Sequence, residues 1–390
     1  MTLDIARIRE HTPATSELIH FNNAGAALSP TPVQEALLQH LGLEQRIGGY
    51  EAATHAHPQI ENFYSAFARL FNCDTDEVAW AENATHGWNT LLHAIPFKSG
   101  DRILTGQSEY GSNYLAFLHL CRLRNVHIEV IPNDANGRIC LDRLTAAIDN
   151  NVRLIALTHV PSQSGVIHPA TEIGQIARTH DILYLLDACQ SAGQLPLDVN
   201  ALGCDMLTGT GRKYLRGPRG TGFMYVRKEI IGTLTPAWID LHSASWAAEN
   251  TYQLRDDARR FENWESFVAG KIALGVAVDY AMEIGMEAIA KRVGYLASCL
   301  REQLSMVNSI SVHESGEHLS GIVTFSKKDE TPQELQHRLQ SAGINISTSK
   351  LRSNVLDFGR RGLGDINRAS VHYYNTEEEV ERFCQVITAT

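Results

Sequence analysis

The chain has 390 residues, of which 44% are hydrophobic and 20% charged, as is typical of a globular protein with a large buried core. Lys and Arg number 34 against 44 Asp and Glu, a net charge of −10, and no basic run stands out, so we expect no nucleic-acid partner. The amino terminus lacks the apolar core of a signal peptide, and no eighteen apolar residues follow one another, so we expect no membrane partner.

The seven cysteines are scattered singly along the chain, without a CxxC pair. This spacing favours reduced thiols and a cytoplasmic location over a disulfide framework or a structural zinc site. His55 and His57 are potential metal ligands, but no third ligand lies near them in the sequence, so we expect no metal.

Short apolar runs in the middle of the chain are typical of strands; they cover residues 101–106, 126–132, 154–160, 182–188 and 222–226. Helix-like segments lie between them, for example at 140–149 and 170–180. This alternation predicts an α/β layer with a mostly parallel sheet. The runs at 154–160 and 182–188 are apolar almost throughout, as expected of strands buried on both faces.

After about residue 265 the pattern changes. One long helix or a helix pair is predicted over 268–304, followed by strands at 321–326, 344–347 and 369–375 and by helices at 331–343 and from Thr376, which forms a capping box with Glu379. These elements predict a smaller α+β domain. We therefore expect a large domain over 18–262, a small domain formed by 1–17 and 263–390, and a ligand cleft between the two.

Lys213 lies in a stretch rich in glycine and arginine, TGTGRKYLRGPRGTGF, at 208–223. A P-loop requires Gly-x-x-x-x-Gly-Lys-Ser/Thr before a helix, whereas Tyr214 follows this lysine and the segment leads into a predicted strand. Asp187 ends another predicted strand, where α/β sheets bind ligands, and a buried carboxylate there needs a cationic or hydrogen-bonding partner. A protonated pyridine nitrogen is such a partner, and the amine of Lys213 would then bind the aldehyde of a pyridoxal cofactor.

Three motifs resemble, in the same order, those of the class V aminotransferase family, which includes cysteine desulfurases and isopenicillin N epimerase. They are LDACQSAGQLPLDV at 186–199, GRKYLRGPRGTGFMYV at 211–226 and RASVHYYNTEEEV at 368–380. The likeness runs from about residue 18 to the end. It implies fold type I of the pyridoxal 5′-phosphate enzymes, with a large domain built on a mostly parallel mixed sheet and a smaller α+β domain at the carboxyl terminus. It also implies a homodimer with the active site near the subunit interface.

The resemblance implies a role for each motif residue. Lys213 corresponds to the Schiff-base lysine, Asp187 to the partner of the pyridine nitrogen, and Gln190 to a ligand of the cofactor's phenolic oxygen. Tyr110 lies where desulfurases stack a histidine on the cofactor ring, although an aromatic residue there could also belong to the core. Ser162 takes the place of an asparagine often found near the phenolic oxygen. The predicted catalytic residues are Lys213, Asp187 and Tyr110.

The cofactor phosphate is expected at a helix start and beside the lysine, because backbone N–H groups and an arginine both suit a dianion. The residues implied are Ala84, Thr85, His86, Thr210 and Arg212. For His86, a role confined to the helix start is an equal alternative.

The small-molecule substrate is expected to be an amino acid whose α-carboxylate is clamped by Arg368 through two parallel hydrogen bonds. Asn23 and Gly25 are further predicted substrate contacts. Arg360, together with Arg352 and Arg361 on the same loop, could recognise a second acidic group on the substrate or could be solvated charge.

Cysteine desulfurases of this family carry a persulfide-forming cysteine shortly before the carboxylate-binding arginine. The corresponding loop here, 347–367, contains no cysteine, and Ser353 lies about where the thiol of one desulfurase subgroup would be. Serine cannot form a persulfide. We therefore expect no persulfide relay.

Other segments resemble a branch that holds sulfoxide and cystine C–S lyases and epimerase-like proteins. They include IGGYEAA at 47–53 and RRFENWE at 259–265, in which Trp264 and Glu265 replace the family's Gly-Thr contact to the neighbouring subunit's phosphate. We therefore expect a β-eliminating C–S lyase acting on an L-cysteine derivative. An amino-acid epimerase or aminotransferase would use the same residues, and a cofactor-binding protein without catalysis is the alternative from a different class.

Overall fold

The computed structural model describes residues 3–314 and 316–389. The strands are β1 (Ile19–His20), β2 (Val78–Ala81), β3 (Arg102–Gly106), β4 (His127–Ile131), β5 (Val152–Thr158), β6 (Leu183–Asp187), β7 (Met206–Thr210), β8 (Gly222–Val226), β9 (Ala244–Ala248), β10 (Thr251–Leu254), β11 (Ile310–Val312), β12 (Ile322–Lys327), β13 (Ile344–Asn345), β14 (Ser347–Ser349) and β15 (Ile366–Ser370).

The helices are α1 (Ile5–Glu10), α2 (Thr31–Ile47), α3 (Gly49–His55), α4 (His57–Phe71), α5 (Ala84–Ala94), α6 (Gly111–Arg124), α7 (Leu141–Ala146), α8 (Ala170–Thr179), α9 (Val199–Leu202), α10 (Lys228–Ile231), α11 (Val268–Ile284), α12 (Met286–Ser305), α13 (Pro332–Ser341), α14 (Val355–Arg361) and α15 (Glu377–Thr388). In the part of the chain that the structure describes, four short 3₁₀ helices cover Pro13–Ser16, Thr75–Glu77, Ala258–Phe261 and Leu351–Ser353. No helix within the described residues combines the length and hydrophobicity needed to cross a membrane.

A seven-stranded sheet lies at the centre of the fold, in the order β2-β8-β7-β6-β5-β3-β4. Strands β3 to β7 run parallel, whereas β8 is antiparallel to both of its neighbours. Helices flank the sheet, so the α/β class with a mostly parallel mixed sheet is confirmed. Each of the five predicted strands overlaps an observed one.

The apolar run of β5 is explained by the two hydrophobic clusters on the two faces of the sheet. Leu154 and Ala156 belong to one cluster, and Ile155 and Leu157 to the other. Because successive side chains of a strand point to opposite faces, a strand covered on both sides must be apolar at every position. The carboxyl end of such a strand is where its polar side chains can reach a ligand.

Strands β2 and β7 were not predicted. In β7 the apolar pattern is interrupted by Gly209, whose Cβ, if present, would lie 2.2 Å from the ring of Phe223 on the neighbouring strand. The glycine makes room for that ring. The local pattern therefore reads as a turn although the segment is a buried strand.

The carboxyl-terminal region contains a four-stranded antiparallel sheet, in the order β11-β12-β15-β14. The strand predicted at 369–375 is displaced, because the ladder of β15 begins at Ile366 and ends at Ser370. Beyond it the chain turns, with Asn375 N donating to His372 O at 3.0 Å. Val371 and Tyr374 are fully buried by tertiary packing, and burial of this kind gives the same apolar pattern as a strand.

The long apolar segment after residue 268 is a helix pair. Gly285, with φ of 94°, lies between α11 and α12, a conformation that favours glycine. Helix α11 packs on α2 and α4. Its approach to α4 is close, because a Cβ on Gly275 would lie 3.2 Å from the backbone of Phe63.

The amino-terminal segment forms a separate two-stranded sheet with the carboxyl-terminal region. Ile19 and His20 in β1 pair in parallel with Ile344 and Asn345 in β13, although β1 falls inside the predicted large domain. The boundaries at residues 18 and 262 stay a prediction.

Candidate active site

A cavity of about 310 Å³ opens at the carboxyl ends of the parallel strands. Thr158, Asp187 and Thr210, the last residues of β5, β6 and β7, all line it, at the edge where open α/β sheets bind ligands. The structure brings most of the predicted cofactor residues to this wall: Ala84, Thr85, Tyr110, Ser162, Asp187, Gln190, Thr210, Arg212 and Lys213.

Close packing requires the glycines in the turn that carries Lys213. A Cβ on Gly211 would lie 2.3 Å from Thr221 Oγ1, and a Cβ on Gly217 would lie 2.6 Å from Leu274 Cδ1. Arg216 N donates to Lys213 O at 2.9 Å and closes the turn. The backbone freedom around the lysine therefore lets its turn lie tightly against β8 and α11.

Lys213 is 8% exposed, and its Nζ lies 5.9 Å from the centroid of the Tyr110 ring. Burial lowers the pKa of its amine, and the nearby guanidinium groups of Arg212 and Arg368 act in the same direction. A lowered pKa increases the fraction of neutral amine at physiological pH. The neutral form is the one that attacks an aldehyde.

Asp187 is buried at the end of β6 and accepts hydrogen bonds only from uncharged groups within the described residues. Its Oδ1 accepts from Cys189 N at 2.8 Å and its Oδ2 from Asn113 Nδ2 at 2.8 Å. A buried carboxylate that has no charged hydrogen-bond partner is costly unless a ligand supplies one. Asp187 therefore fits a protonated ring nitrogen.

The start of α5 and the residues beside the lysine fit a phosphate group. Asn83 caps the helix by accepting a hydrogen bond from His86 N at 2.9 Å. Ala84 and Thr85, in the first turn of the helix, line the cavity, so the N–H groups at this end of the helix lie beside it. Arg212 Nη1 donates to Thr210 Oγ1 at 3.0 Å on the same wall. Two helix-start N–H groups and a guanidinium are a suitable set of donors for a dianion.

His86 does not line this cavity. Its ring contacts the carboxylate of Glu82 through Nδ1 and stacks on Trp238, with 5.6 Å between the ring centroids. The backbone of its helix turn, rather than its side chain, therefore belongs to the candidate phosphate site. This geometry favours the alternative role at the helix start.

Gln190 and Tyr110 both line the cavity. Gln190 is buried; its Nε2 donates to Ala24 O at 3.0 Å, while its Oε1 has no hydrogen-bond partner in the described residues. An orphaned buried polar atom in a cavity wall indicates a missing ligand. Tyr110 is 39% exposed and lines the cavity rather than the core. Ser162 also lines it, with only a long 3.5 Å contact to Gln163.

Arg368 lies in the middle of β15 and contacts only neutral oxygens among the described residues. Nη1 donates to Ser162 O at 3.3 Å and Nη2 to Asn22 Oδ1 at 3.4 Å, while Nε has no partner. Burial lowers the pKa of the Arg368 guanidinium to about 10. A desolvated guanidinium with weak partners beside the cavity fits a carboxylate ligand.

The structure corrects the prediction for Asn23. Its side chain is fully buried, donates to His20 O at 3.0 Å and to Ser370 O at 2.7 Å, and accepts from Tyr374. Both amide hydrogens are used within the protein, and the fully buried side chain is not exposed to a substrate. The preceding residue, Asn22, is the one that reaches Arg368.

Gly25 acts through its neighbours rather than by lining the cavity. A Cβ at this position would lie 2.6 Å from Asn22 Oδ1, so glycine allows Asn22 to take its place beside Arg368. The carbonyl of Ala24 accepts from Gln190. The segment thus supports two predicted site residues.

The arginines of the loop before β15 do not line the cavity either. Arg360 Nη1 donates to Gln107 Oε1 at 3.3 Å. Arg361 pairs with Asp357 at 3.0 Å and donates to His313 O, which gives it a structural role. Arg352 lines a separate groove that it shares with Tyr110.

Several residues of the site were not predicted. Asn83, Thr158, Val160, Cys189, Arg219 and Gly220 line the cavity, and Glu109 and Asn113 lie behind it. The rule that identifies Asp187, a polar residue at the end of a buried strand, applies equally to Thr158. Among the described residues, no group of three or more His, Cys, Asp or Glu side chains is placed to hold a metal ion.

Comparison with known proteins places this geometry in a family. The Aminotransferase class-V model matches residues 19–383. A relative named probable cysteine desulfurase from Methanothermobacter thermautotrophicus is 28% identical over 380 residues, covering 96% of this chain and 95% of the relative. The solved cysteine desulfurase of Thermococcus onnurineus has a TM-score of 0.93 at 27% identity, covering 99% of this chain and 98% of its own.

A solved structure of the cystine C–S lyase C-DES, in complex with its reaction product cysteine persulfide, also matches. Its TM-score is 0.87 at 23% identity, and the match covers 97% of this chain and 99% of that chain. At this identity the likeness shows a shared fold.

Proposed function

Because the chain belongs to the class V aminotransferase family and is an enzyme that uses pyridoxal 5′-phosphate, we propose that it cleaves the C–S bond of an L-cysteine derivative by β-elimination. The observation that carries this proposal is the pairing of a buried, readily deprotonated Lys213 with a cavity that lacks a reactive thiol. Lys213 supplies the proton transfer that elimination needs. The missing thiol removes the alternative of transferring sulfur to the protein.

Cys189 and Ser353 are the two positions at which a sulfur-accepting thiol could be expected. Cys189 is the one cysteine in the cavity wall, and burial raises the pKa of its thiol far above the usual value, so the reactive thiolate is suppressed. Ser353 is exposed on the loop before α14 and cannot carry a persulfide. Sulfur released from a substrate would therefore leave as a small molecule.

When bound, the pyridoxal cofactor supplies an electron sink for negative charge at the substrate's α-carbon. Asp187 would hold positive charge at the ring nitrogen, and the donors at Ala84, Thr85 and Arg212 would hold the phosphate. Arg368 binds the α-carboxylate and orients the substrate. Lys213 Nζ accepts the α-proton and can return it to the departing sulfur.

An amino-acid epimerase is the second candidate, and Tyr110 is the observation that favours it. Its side chain lines the same cavity as Lys213, and epimerisation needs a second group able to move a proton at the α-carbon. An aminotransferase would use the same set of residues. The reaction products distinguish the three activities.

We also propose a homodimer in the cytoplasm. Large apolar side chains are exposed on one stretch of the chain, including Trp238 at 42%, Trp246 at 74% and Trp264 at 57%. Exposed aromatic residues of this size are typical of protein interfaces. All seven cysteines are free, as expected in a reducing compartment.

The test is to incubate the cofactor-loaded protein separately with L-cysteine, L-cystine and L-alanine. A lyase releases pyruvate, ammonia and a sulfur-containing fragment from the first two and needs no second substrate. Loss of chirality indicates an epimerase, and dependence on an added keto acid indicates an aminotransferase. The lyase proposal would be overturned if neither L-cysteine nor L-cystine yielded more pyruvate with the wild type than with the inactive Lys213→Ala variant.

A further inference from the structure

Two buried carboxylates meet on the side chain of Asn113 behind the cavity wall. Asn113 Nδ2 donates to Glu109 Oε1 at 2.9 Å and to Asp187 Oδ2 at 2.8 Å. Glu109, Asn113 and Asp187 are 4%, 3% and 3% exposed, so water does not screen one carboxylate from the other. Because an amide nitrogen carries two hydrogens, Asn113 serves both carboxylates and fixes their separation.

Glu109 is held firmly, but only by uncharged donors. Its carboxylate accepts from Thr158 Oγ1 at 2.5 Å, Thr158 N at 3.0 Å, Tyr110 N at 2.9 Å and Thr105 Oγ1 at 3.1 Å. Burial raises the pKa of Glu109 to about 7 against the effect of the Thr158 hydrogen bond, and the charge of Asp187 adds to the rise. Among the described residues, neither carboxylate accepts a hydrogen bond from a cationic side chain.

We propose that Glu109 is a positioning residue which, through Asn113, sets the electrostatic potential at the ring-nitrogen end of the cofactor site. The inference rests on the proposed function in one respect, the pairing of Asp187 with a protonated ring nitrogen. A second negative charge beside Asp187 raises the proton affinity of a basic nitrogen held there, because it stabilises the protonated form. Two linked carboxylates, rather than Asp187 alone, then keep the ring cationic.

The other titratable groups near the pair do not compensate it. Tyr184 lies on the same strand as Asp187 and is influenced by Glu109, but burial raises the pKa of its phenol well above the usual value, so it is neutral. Tyr110 follows Glu109 directly and points into the cavity. Lys213 faces Asp187 from the turn after β7, and burial lowers the pKa of its amine. The charge on Glu109 is thus the part of the local electrostatic potential that changes with pH.

The experiment is a pH titration of the visible absorbance of the cofactor-loaded protein, which follows the protonated nitrogen joining Lys213 to the cofactor. Glu109→Gln is expected to lower the midpoint by about one pH unit, the lower end of the shifts caused by one nearby buried charge. Asn113→Ala is expected to lower the midpoint by a similar amount. Without the Asn113 bridge the two carboxylates share one proton, so the pair carries one negative charge instead of two. The double variant should show no further shift, since both changes remove the same charge.

Thr105→Val is the matched control, because it removes one hydrogen bond to Glu109 without changing any charge. It should lower the Tm and leave the midpoint where it is in the wild type. A Glu109→Gln variant that only loses stability, with an unmoved midpoint, would reduce Glu109 to a structural role and overturn the inference.

The same measurement separates this inference from the proposed reaction. A wild-type protein that never acquires a visible band has not bonded the cofactor to Lys213 and holds no ring beside Asp187, which defeats both. A band whose midpoint shifts as expected, in a protein that releases no pyruvate, supports the role of Glu109 while the lyase proposal fails.

Discussion

Lys213 Nζ lies over the ring of Tyr110, 5.9 Å from its centroid, and both side chains border the same cavity. The lysine comes from the turn after β7 and the tyrosine from the residue before α6. Because the tyrosine is 39% exposed, its ring is free to lie against a flat ligand. This relationship leads to the first prediction.

Tyr110→Ala is expected to weaken cofactor binding about tenfold, because an aromatic stacking partner contributes about 0.5–1.5 kcal/mol. Tyr110→Phe keeps the ring and should keep the dissociation constant. Titration of the apoprotein with the cofactor, followed by absorbance, measures both. A loss of equal size in the phenylalanine variant would mean that the hydroxyl, and not the ring, makes the contact.

Lys213→Met is expected to raise the Tm of the cofactor-free protein at pH 7. The pKa of this amine is lower in the folded chain than in the unfolded one, so the unfolded chain binds the extra proton between the two values. Stability therefore rises with pH through that window and is lost as the pH falls. The Tm difference between variant and wild type should shrink as the pH approaches the ordinary lysine value.

The same variant provides a covalent readout. Borohydride reduction of the loaded wild type should label position 213, whereas Lys213→Met should take up no label. Labelling of the variant at another lysine would remove Lys213 from its proposed role.

Arg368→Gln is expected to lower kcat/KM for the amino-acid substrate about 100-fold, mostly through KM, since hydrogen bonds to a charged group contribute about 1.5–3 kcal/mol. Arg361→Gln is the matched control, because Arg361 already pairs with Asp357 and does not line the cavity. Steady-state kinetics on both variants tests the assignment. An equal effect in the control would point to a general disturbance of the loop.

Ser353→Cys is expected to acquire a protein-bound persulfide on incubation with L-cysteine, while the wild type acquires none. The side chain is exposed on a loop whose carbonyl, Ser353 O, would lie 2.7 Å from a Cβ on Gly111, directly after Tyr110. Mass spectrometry of the intact protein detects the added sulfur. A persulfide on the unaltered chain would contradict the proposed release of sulfur as a small molecule.

Glu262→Gln is expected to lower the free energy of unfolding at pH 7 by about 3 kcal/mol, because it leaves Lys271 charged, buried and unpaired. Although burial acts the other way, the charge of Lys271 and hydrogen bonds from His242 and Trp80 N lower the pKa of Glu262 to about 2. Its contribution is present above the ordinary glutamate pKa and is lost as the pH falls toward 2. Urea denaturation measures the change.

A second variant separates the charge effect from a packing defect. Removing both partners, in Glu262→Gln with Lys271→Met, should recover most of the loss, because no buried charge is then left unpaired. A double variant as unstable as the single one would contradict this account.

The identity of the chemistry could be predicted from sequence because it depends on short local patterns. Asp187 ends an apolar run, and Lys213 lies between segments whose order along the chain matches a family. Strand ends of a parallel sheet meet at one edge, so two such residues converge without knowledge of any side-chain contact.

The prediction was weakest where packing, and not local pattern, determines conformation. The strand placed at 369–375 belongs at Ile366–Ser370, since Val371 and Tyr374 are buried by neighbouring elements and read like strand residues. In the same way, Gly209 suggests a turn in the sequence, but in the structure it makes room for the Phe223 ring.

What the sequence determined by itself is the family, the sheet class and the residues whose chemistry a pyridoxal cofactor requires. Only the tertiary structure decided which of two adjacent asparagines reaches Arg368, that His86 turns away to Glu82, and that Asn113 joins Glu109 to Asp187. These outcomes depend on the direction of side chains from segments far apart in the chain. Such directions are set by packing and hydrogen bonding in three dimensions, which no local pattern records.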